Sequence, residues 1–317
     1  MGRFNPISET VNGRIRFKEQ VTFSAGMNGS NRPGNFYYVD RNAPSGGKGG
    51  SWANAFNTIA EGIAKLNSDY VAGRQVGTLY IGEGWYAEVP VILTASDCFI
   101  IATAPGHHDS TVLYGVPVAG TFSGVAGGPA LTITGSNNTV VGLGVYTSDP
   151  LYGAIRNGSN AGDGDALNPG ASAPTGNAFI NCSFVRDAAD GELCGLDDLG
   201  GDGTLVDGCF FGTSCKDMGV RVRSNGVINP VNPLVKNCEF VGTPIGVHLQ
   251  AGHNLLVKDC DFRDDTSDRP DVCDYPVIIT ATSGTVVGCS SALAKADIVT
   301  GAGTIVDMNN WGSDSST

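Results

Sequence analysis

The chain has 317 residues, with 46 glycines against 13 phenylalanines and three tryptophans, and only 16% are charged; this suits thin layers and tight turns rather than bulky helix packing. Its net charge of −12 excludes a general nucleic-acid binder, which needs a basic surface to neutralise phosphates. No window approaches the roughly 18 consecutive apolar residues of a membrane-spanning helix, so no membrane partner is expected. The opening Met1-Gly2-Arg3-Phe4-Asn5-Pro6 lacks the apolar core of a secretory signal, so the chain is expected to fold where it is made, in a reducing cytoplasm.

The charge is unevenly placed. Residues 1–33 hold five basic and two acidic side chains, a net of +3, which leaves −15 on the remainder. Within this basic arm Arg14, Ile15, Arg16, Phe17, Val21 and Phe23 stand out, because Ile15, Phe17, Val21 and Phe23 alternate with polar residues as in a strand. A Gly/Asn/Ser/Pro linker follows from Gly26 to Gly34. Residues 1–34 therefore read as an extended docking arm, and residues 35–317 as the folded body.

The body opens with Tyr37-Tyr38-Val39-Asp40 and a Gly-rich turn from Gly46 to Gly50. Beyond them Phe56, Ile59, Ile63 and Leu66 fall three to four residues apart, predicting a helix over residues 54–66 with one apolar stripe. Short strands come next, at Leu79-Tyr80-Ile81, Cys98-Phe99-Ile100-Ile101, Leu131-Thr132-Ile133 and Thr139-Val140-Val141. A repeat then emerges: Asn181-Cys182-Ser183-Phe184, Gly208-Cys209-Phe210-Phe211, Asn237-Cys238-Glu239-Phe240 and Asp259-Cys260-Asp261-Phe262. A fifth copy, Gly288-Cys289-Ser290-Ser291, has lost its Phe. The cysteines are spaced by 27, 29, 22 and 29 residues.

Side chains alternate along a strand, so each Cys and the Phe two positions later face the same way. A unit this short cannot bury its apolar face alone and does so by stacking on its neighbours, like over like. The pattern predicts an all-β, right-handed parallel β-helix of about nine coils, with a short N-terminal capping helix over its open end. The nine cysteines contain no Cys-x-x-Cys pair, so the ladder reads as small core hydrophobes rather than a metal or redox site. Cys98, Cys194, Cys215 and Cys273 lie off it.

The segment Tyr37-Tyr38-Val39-Asp40, the Gly46–Gly50 turn, Ser51-Trp52-Ala53-Asn54-Ala55-Phe56-Asn57-Thr58-Ile59, and the following Gly82-Glu83-Gly84-Trp85-Tyr86-Ala87-Glu88 together resemble the entry to pectate-lyase-like β-helix proteins. The closing Asn309-Asn310-Trp311-Gly312 is similar to that family's last coil, so the resemblance spans about residues 36–313. It implies the fold and leaves function open, since β-helices serve as lyases, hydrolases, adhesins and inert shafts. The organisation of basic arm, joint and shaft resembles virion proteins of tailed bacteriophages. That resemblance implies a capsid decoration, spike or fibre protein, located on the virion, docked on capsid or tail proteins and commonly trimeric.

Were the shaft catalytic, its groups would lie outward on one strand row. Counting back from the cysteines places Asp198, Arg223 and His248 on such a row, where carboxylate, guanidinium and imidazole could bind an acidic host-surface glycan and move a proton. The alternative is a solvated ladder of compensating charges. Glycan grooves use aromatic platforms, yet no tryptophan lies between residues 86 and 310, and the expectation leans away from an enzyme. The acidic loops Gly162–Asp165 and Asp264–Asp268 lack a full calcium-loop pattern, so neither metal nor other cofactor is expected.

Overall fold

The computed structural model describes residues 8–11, 14–17, 35–74, 77–88, 90–103, 111–115, 128–147, 152–159, 172–184, 193–212, 215–263, 273–280, 283–291, 298–301 and 304–312. Val21, Phe23 and both acidic loops fall outside this set. The chain divides into two compact units, Met1–Arg32 and Pro33–Thr317. In the first, Ser8–Val11 and Arg14–Phe17 pair antiparallel, Ser8 opposite Phe17 and Val11 opposite Arg14. The sequence between them, Asn12-Gly13, is the pair favoured in two-residue hairpin connections. The arm thus contains a hairpin where the sequence pattern suggested only extended chain.

The larger unit is a right-handed parallel β-helix. Among the described residues its strands form three parallel sheets of ten, nine and eight strands. The first sheet runs from Phe36–Val39 through Thr78–Ile81 to Thr304–Met308, the second from Gly84–Glu88 to Trp311–Gly312, and the third from Val91–Leu93 to Val299–Gly301. Each circuit visits first, second and third sheet in turn, giving eight complete coils and the start of a ninth.

The recurring four-residue motif makes the corner between first and second sheets. Its leading residue takes the left-handed conformation, with φ of 51° at Asn181, 64° at Gly208, 53° at Asn237 and 52° at Asp259. Asn, Asp and Gly tolerate that region best, which is why only these three types occupy the position. The Cys fills the inside of the corner and the Phe begins the second sheet's inner face. Phe184, Phe211, Phe240 and Phe262 stack with centroids 4.7, 4.8 and 4.8 Å apart and planes within 11° of parallel. The strand spacing imposes this face-to-face arrangement. Across the core the third sheet yields room: a Cβ on Gly219 would sit 2.5 Å from Phe240 Cε1, and one on Gly246 would sit 2.3 Å from Phe262 Cε1.

All nine cysteines are buried and free, including the four off the ladder. Burial, then the neighbouring Cys182 and Cys238, holds the Cys209 thiol well above its ordinary value, and burial pushes Cys98 up to about 12. The ladder cysteines are buried among Val and Phe of neighbouring coils and pack as small core hydrophobes.

The capping helix spans Ile59–Val71 rather than 54–66. Thr58 and Glu61 close a capping box at its start, and the residues before it form a single 3-10 turn, Trp52–Asn54. Phe56 is extended and bridges Val39, although its spacing from Ile59 fits a helix. Ile59, Ile63 and Leu66 are buried against the strands Phe36–Val39, Thr78–Ile81, Gly84–Glu88 and Val91–Leu93. The Glu88 carboxylate accepts from the backbone N–H of Ile59 at 2.6 Å and of Ala60 at 2.7 Å. Two orphan donors of the helix start are thereby satisfied by the first coil itself.

The three outer faces differ. On the second, Phe210, Glu239, Asp261 and Ser290 stand in register. Charged groups line the middle of the third. On the first, one row passes through Leu205, Leu234 and Leu256, and the other from Ile180 through Asp207 and Lys236 to Lys258.

Candidate functional site

The charged row of the third sheet is built by strand register. Arg156 pairs with Asp197, Asp197 with Arg221, and Arg221 with His248. On the flanking strands Ile155, Leu196, Val220 and Val247 face the core, so these polar neighbours are turned outward by alternation.

Arg221 donates from Nε to Asp197 Oδ1 at 2.9 Å and from Nη2 to Oδ2 at 2.8 Å. Arg223 does the same from the other side, at 3.0 and 2.8 Å. Arg156 Nε lies 3.8 Å from Asp197 Oδ2, and its guanidinium sits 5.0 Å from the Tyr152 ring centroid. Two forks thus occupy the lone pairs of one fully buried carboxylate. Burial opposes its charge, but Arg223 and Arg221 outweigh that and hold Asp197 below the ordinary carboxylate range. The group stays ionised and positions two guanidiniums, with Arg223 still 24% exposed. Beyond Arg221 the half-buried His248 is held below its ordinary value, by burial and then by Arg221. It is therefore neutral at pH 7, with Nδ1 3.4 Å from Gln250 Nε2.

The expected row of Asp198, Arg223 and His248 needs correcting in its register. Asp198 pairs with Val222, which pairs with Leu249, and both partners belong to the core. Asp198 therefore faces inward. Arg223 pairs with Leu199, one outward position beyond Arg221. Two separate causes lie behind this. Asp197, like His248, precedes its cysteine by 12 residues, so choosing Asp198 slipped by one and reversed the side-chain parity. Arg221 precedes Cys238 by 17 because the turn after Arg223 is longer than its equivalents, which hid Arg221 as the residue level with both. The structure brings Arg223 and His248 to the same outer face and leaves Asp198 behind it.

Asp198 belongs to an internal polar network that sequence reasoning did not find. Its Oδ1 accepts from Asn157 Nδ2 at 2.8 Å, which also bonds Thr204 Oγ1 at 3.0 Å. Asn177 Nδ2 donates to Asn157 Oδ1 at 2.7 Å, and Asn138 N–H donates to Asn177 Oδ1 at 2.7 Å. Period-two alternation with Ile155 pointing inward was the available signal, since it turns Asn157 inward as well. Burial raises Asp198 to about 7, and its Oδ2 has no hydrogen-bond partner to favour the charged form. Its folded value exceeds the ordinary 3.8, so the folded state holds the proton more tightly. Stability from this group is full below about pH 4 and is lost as pH rises towards about 7. Asp198→Asn is expected to remove that slope and to stabilise the shaft at pH 8 by on the order of 2–4 kcal/mol, measured by urea unfolding at pH 5 and 8.

Among the described residues no group of three or more His, Cys, Asp or Glu side chains is placed to hold a metal ion. No known family profile matches the chain, and no curated protein matches its sequence. Solved structures do match. The alginate lyase from Paenibacillus sp. str. FPU-7 has a TM-score of 0.52 at 11% identity over 80% of this chain and 93% of that one. Open reading frame 18 of Geobacillus virus E2 has a TM-score of 0.50 at 12% identity over 97% of this chain and 64% of that one. The pectin methylesterase from carrot has a TM-score of 0.49 at 9% identity, over 91% and 85%. At such identities the first two likenesses are ones of fold, and the fold is the parallel β-helix.

Proposed function

We propose that this chain is a structural virion protein, a capsid decoration, spike or fibre, docked on capsid or tail proteins through residues 1–34 with the β-helix as its shaft. The observation that carries the reading is the division into a small basic unit with its own hairpin and an acidic β-helix. The likeness of nearly the whole chain to a phage protein supports it. So does the third sheet's outer row, whose carboxylate is fully engaged by Arg221 and Arg223. Deletion of residues 1–34 is expected to abolish attachment to the particle while the shaft keeps its β-sheet circular dichroism. Retained attachment would overturn the reading.

A second reading, a polysaccharide-active tailspike or host-glycan adhesin, draws on Arg223 and His248 reaching the surface together. With Asp198 turned inward, the proton acceptor falls to the neutral His248, and the guanidiniums would hold a sugar carboxylate. Acidic polysaccharides would then give unsaturated products by absorbance, lost in Arg223→Ala and His248→Ala. An inert shaft across a broad panel, or unchanged variants, rules out the lyase form of this reading.

A further inference from the structure

We propose that the outer face of the first sheet is an interface between copies of this chain. This stands apart from the virion reading and fails or succeeds separately from it. Among the described residues one of the two outward rows of this face carries no charged side chain at any of its ten levels. This row begins at Phe36, carries Phe99, Leu205, Leu234 and Leu256, and ends at Val306, with Thr78, Thr139, Ala178 and Thr285 at the levels between. Phe36 is 53% exposed and Val306 45%, and Phe99, Leu205, Leu234 and Leu256 are half-buried. The beginning of the second row adds Tyr38 and Tyr80, stacked at 5.6 Å. The other two faces carry polar and charged groups at the same levels, Glu239 and Asp261 on the second and the Asp197 cluster on the third.

Three considerations commit the occupant to a second copy. The first is area. Ten strands at about 4.8 Å spacing make a strip about 43 Å long and, with two outward side chains per strand, roughly 13 Å wide. Two such strips bury about 1,100 Å² together, just above the ~1,000 Å² that a specific interface needs. The second is charge. Copies carrying −12 each repel, yet the described outward residues of this face hold Asp207, Lys236 and Lys258, a net of +1. Asp207 and Lys236 already pair at 3.0 Å, so this face adds little to the repulsion between two acidic molecules. The third is pitch, because an apolar ladder with one rung per strand is matched in length and spacing by the same ladder on another copy.

The full-length protein should sediment as more than one chain at micromolar concentration, and a mass of one chain would overturn the proposal. Leu205→Lys with Leu234→Lys should shift that mass to a single chain with the circular dichroism unchanged, while Phe210→Lys on the second sheet leaves it unaltered. Persistence of the assembly in a folded double variant would also overturn it. Should the double variant misfold, Leu234→Cys replaces it, since the nine native cysteines are buried. Maleimide labelling of the thiol so introduced should slow at least tenfold in concentrated over dilute protein, with no such change for Ser290→Cys. Equal rates at both concentrations would refute the interface.

Discussion

Asp197→Asn is expected to cost the shaft about 3–5 kcal/mol, because it strips the shared counterion from two guanidiniums held on a buried row. Arg221 is 12% exposed and Arg223 24%, so neither can swing fully into water without leaving the sheet face. Native domains have only about 5–15 kcal/mol in hand, and a loss of this size moves a guanidinium unfolding midpoint plainly. The pH dependence carries the opposite sign to that of its neighbour. Asp197 titrates below its ordinary 3.8 in the folded state, so its stabilisation is present above that value and disappears as pH falls through the lower folded one. Asp198, adjacent in sequence, favours the folded state at low pH instead. Acid unfolding of the single variants separates the two: Asp197→Asn should blunt the loss below pH 4, and Asp198→Asn the change between about 4 and 7. An Asp197→Asn variant as stable as the parent would mean that the forks are ornamental.

The second large effect is expected at Phe211. It is fully buried between Phe184 at 4.7 Å and Phe240 at 4.8 Å. Phe211→Ala should cost about 3–5 kcal/mol, since neighbouring coils are fixed at strand spacing and cannot collapse into the void. Phe210, next to it in sequence, faces outward, and Phe210→Ala should stay below about 1 kcal/mol. Thermal unfolding of the two variants provides the comparison. Similar losses at both positions would contradict the assigned register of the second sheet.

The β-helix was legible because its ladder repeats in the sequence. A left-handed corner residue, a small buried Cys and a Phe two positions on are each demanded by local geometry, and each recurs in register. What failed was the alignment of the third sheet to that ladder. Corner residues are held to a fixed count by sterics, whereas the surface turn after Arg223 is free to lengthen, so counting across it misplaced Arg223. Asp198 was a slip of one residue from Asp197, and with a period of two a slip of one reverses the face. Phe56 misled in another way, since a spacing of three from Ile59 fits a helix and equally fits an extended residue just before one. The Thr58-Ile59-Ala60-Glu61 capping signature marked the true start. Val21 and Phe23 of the arm lie outside the described residues, and its alternation reads as two strands only once Asn12-Gly13 is given its weight.

The network of Asn138, Asn177, Asn157, Asp198 and Thr204 has a consequence for how the coils find their partners. A column of like residues is indifferent to translation: slipped by one coil, Cys still meets Cys and Phe still meets Phe, with little loss of contact. Such degeneracy invites kinetic traps in a long repeat. Polar groups bonded to one another across three neighbouring coils remove it, because any slipped pairing would strand buried amides and an acid without partners. The network acts as an index mark on an otherwise unnumbered scale.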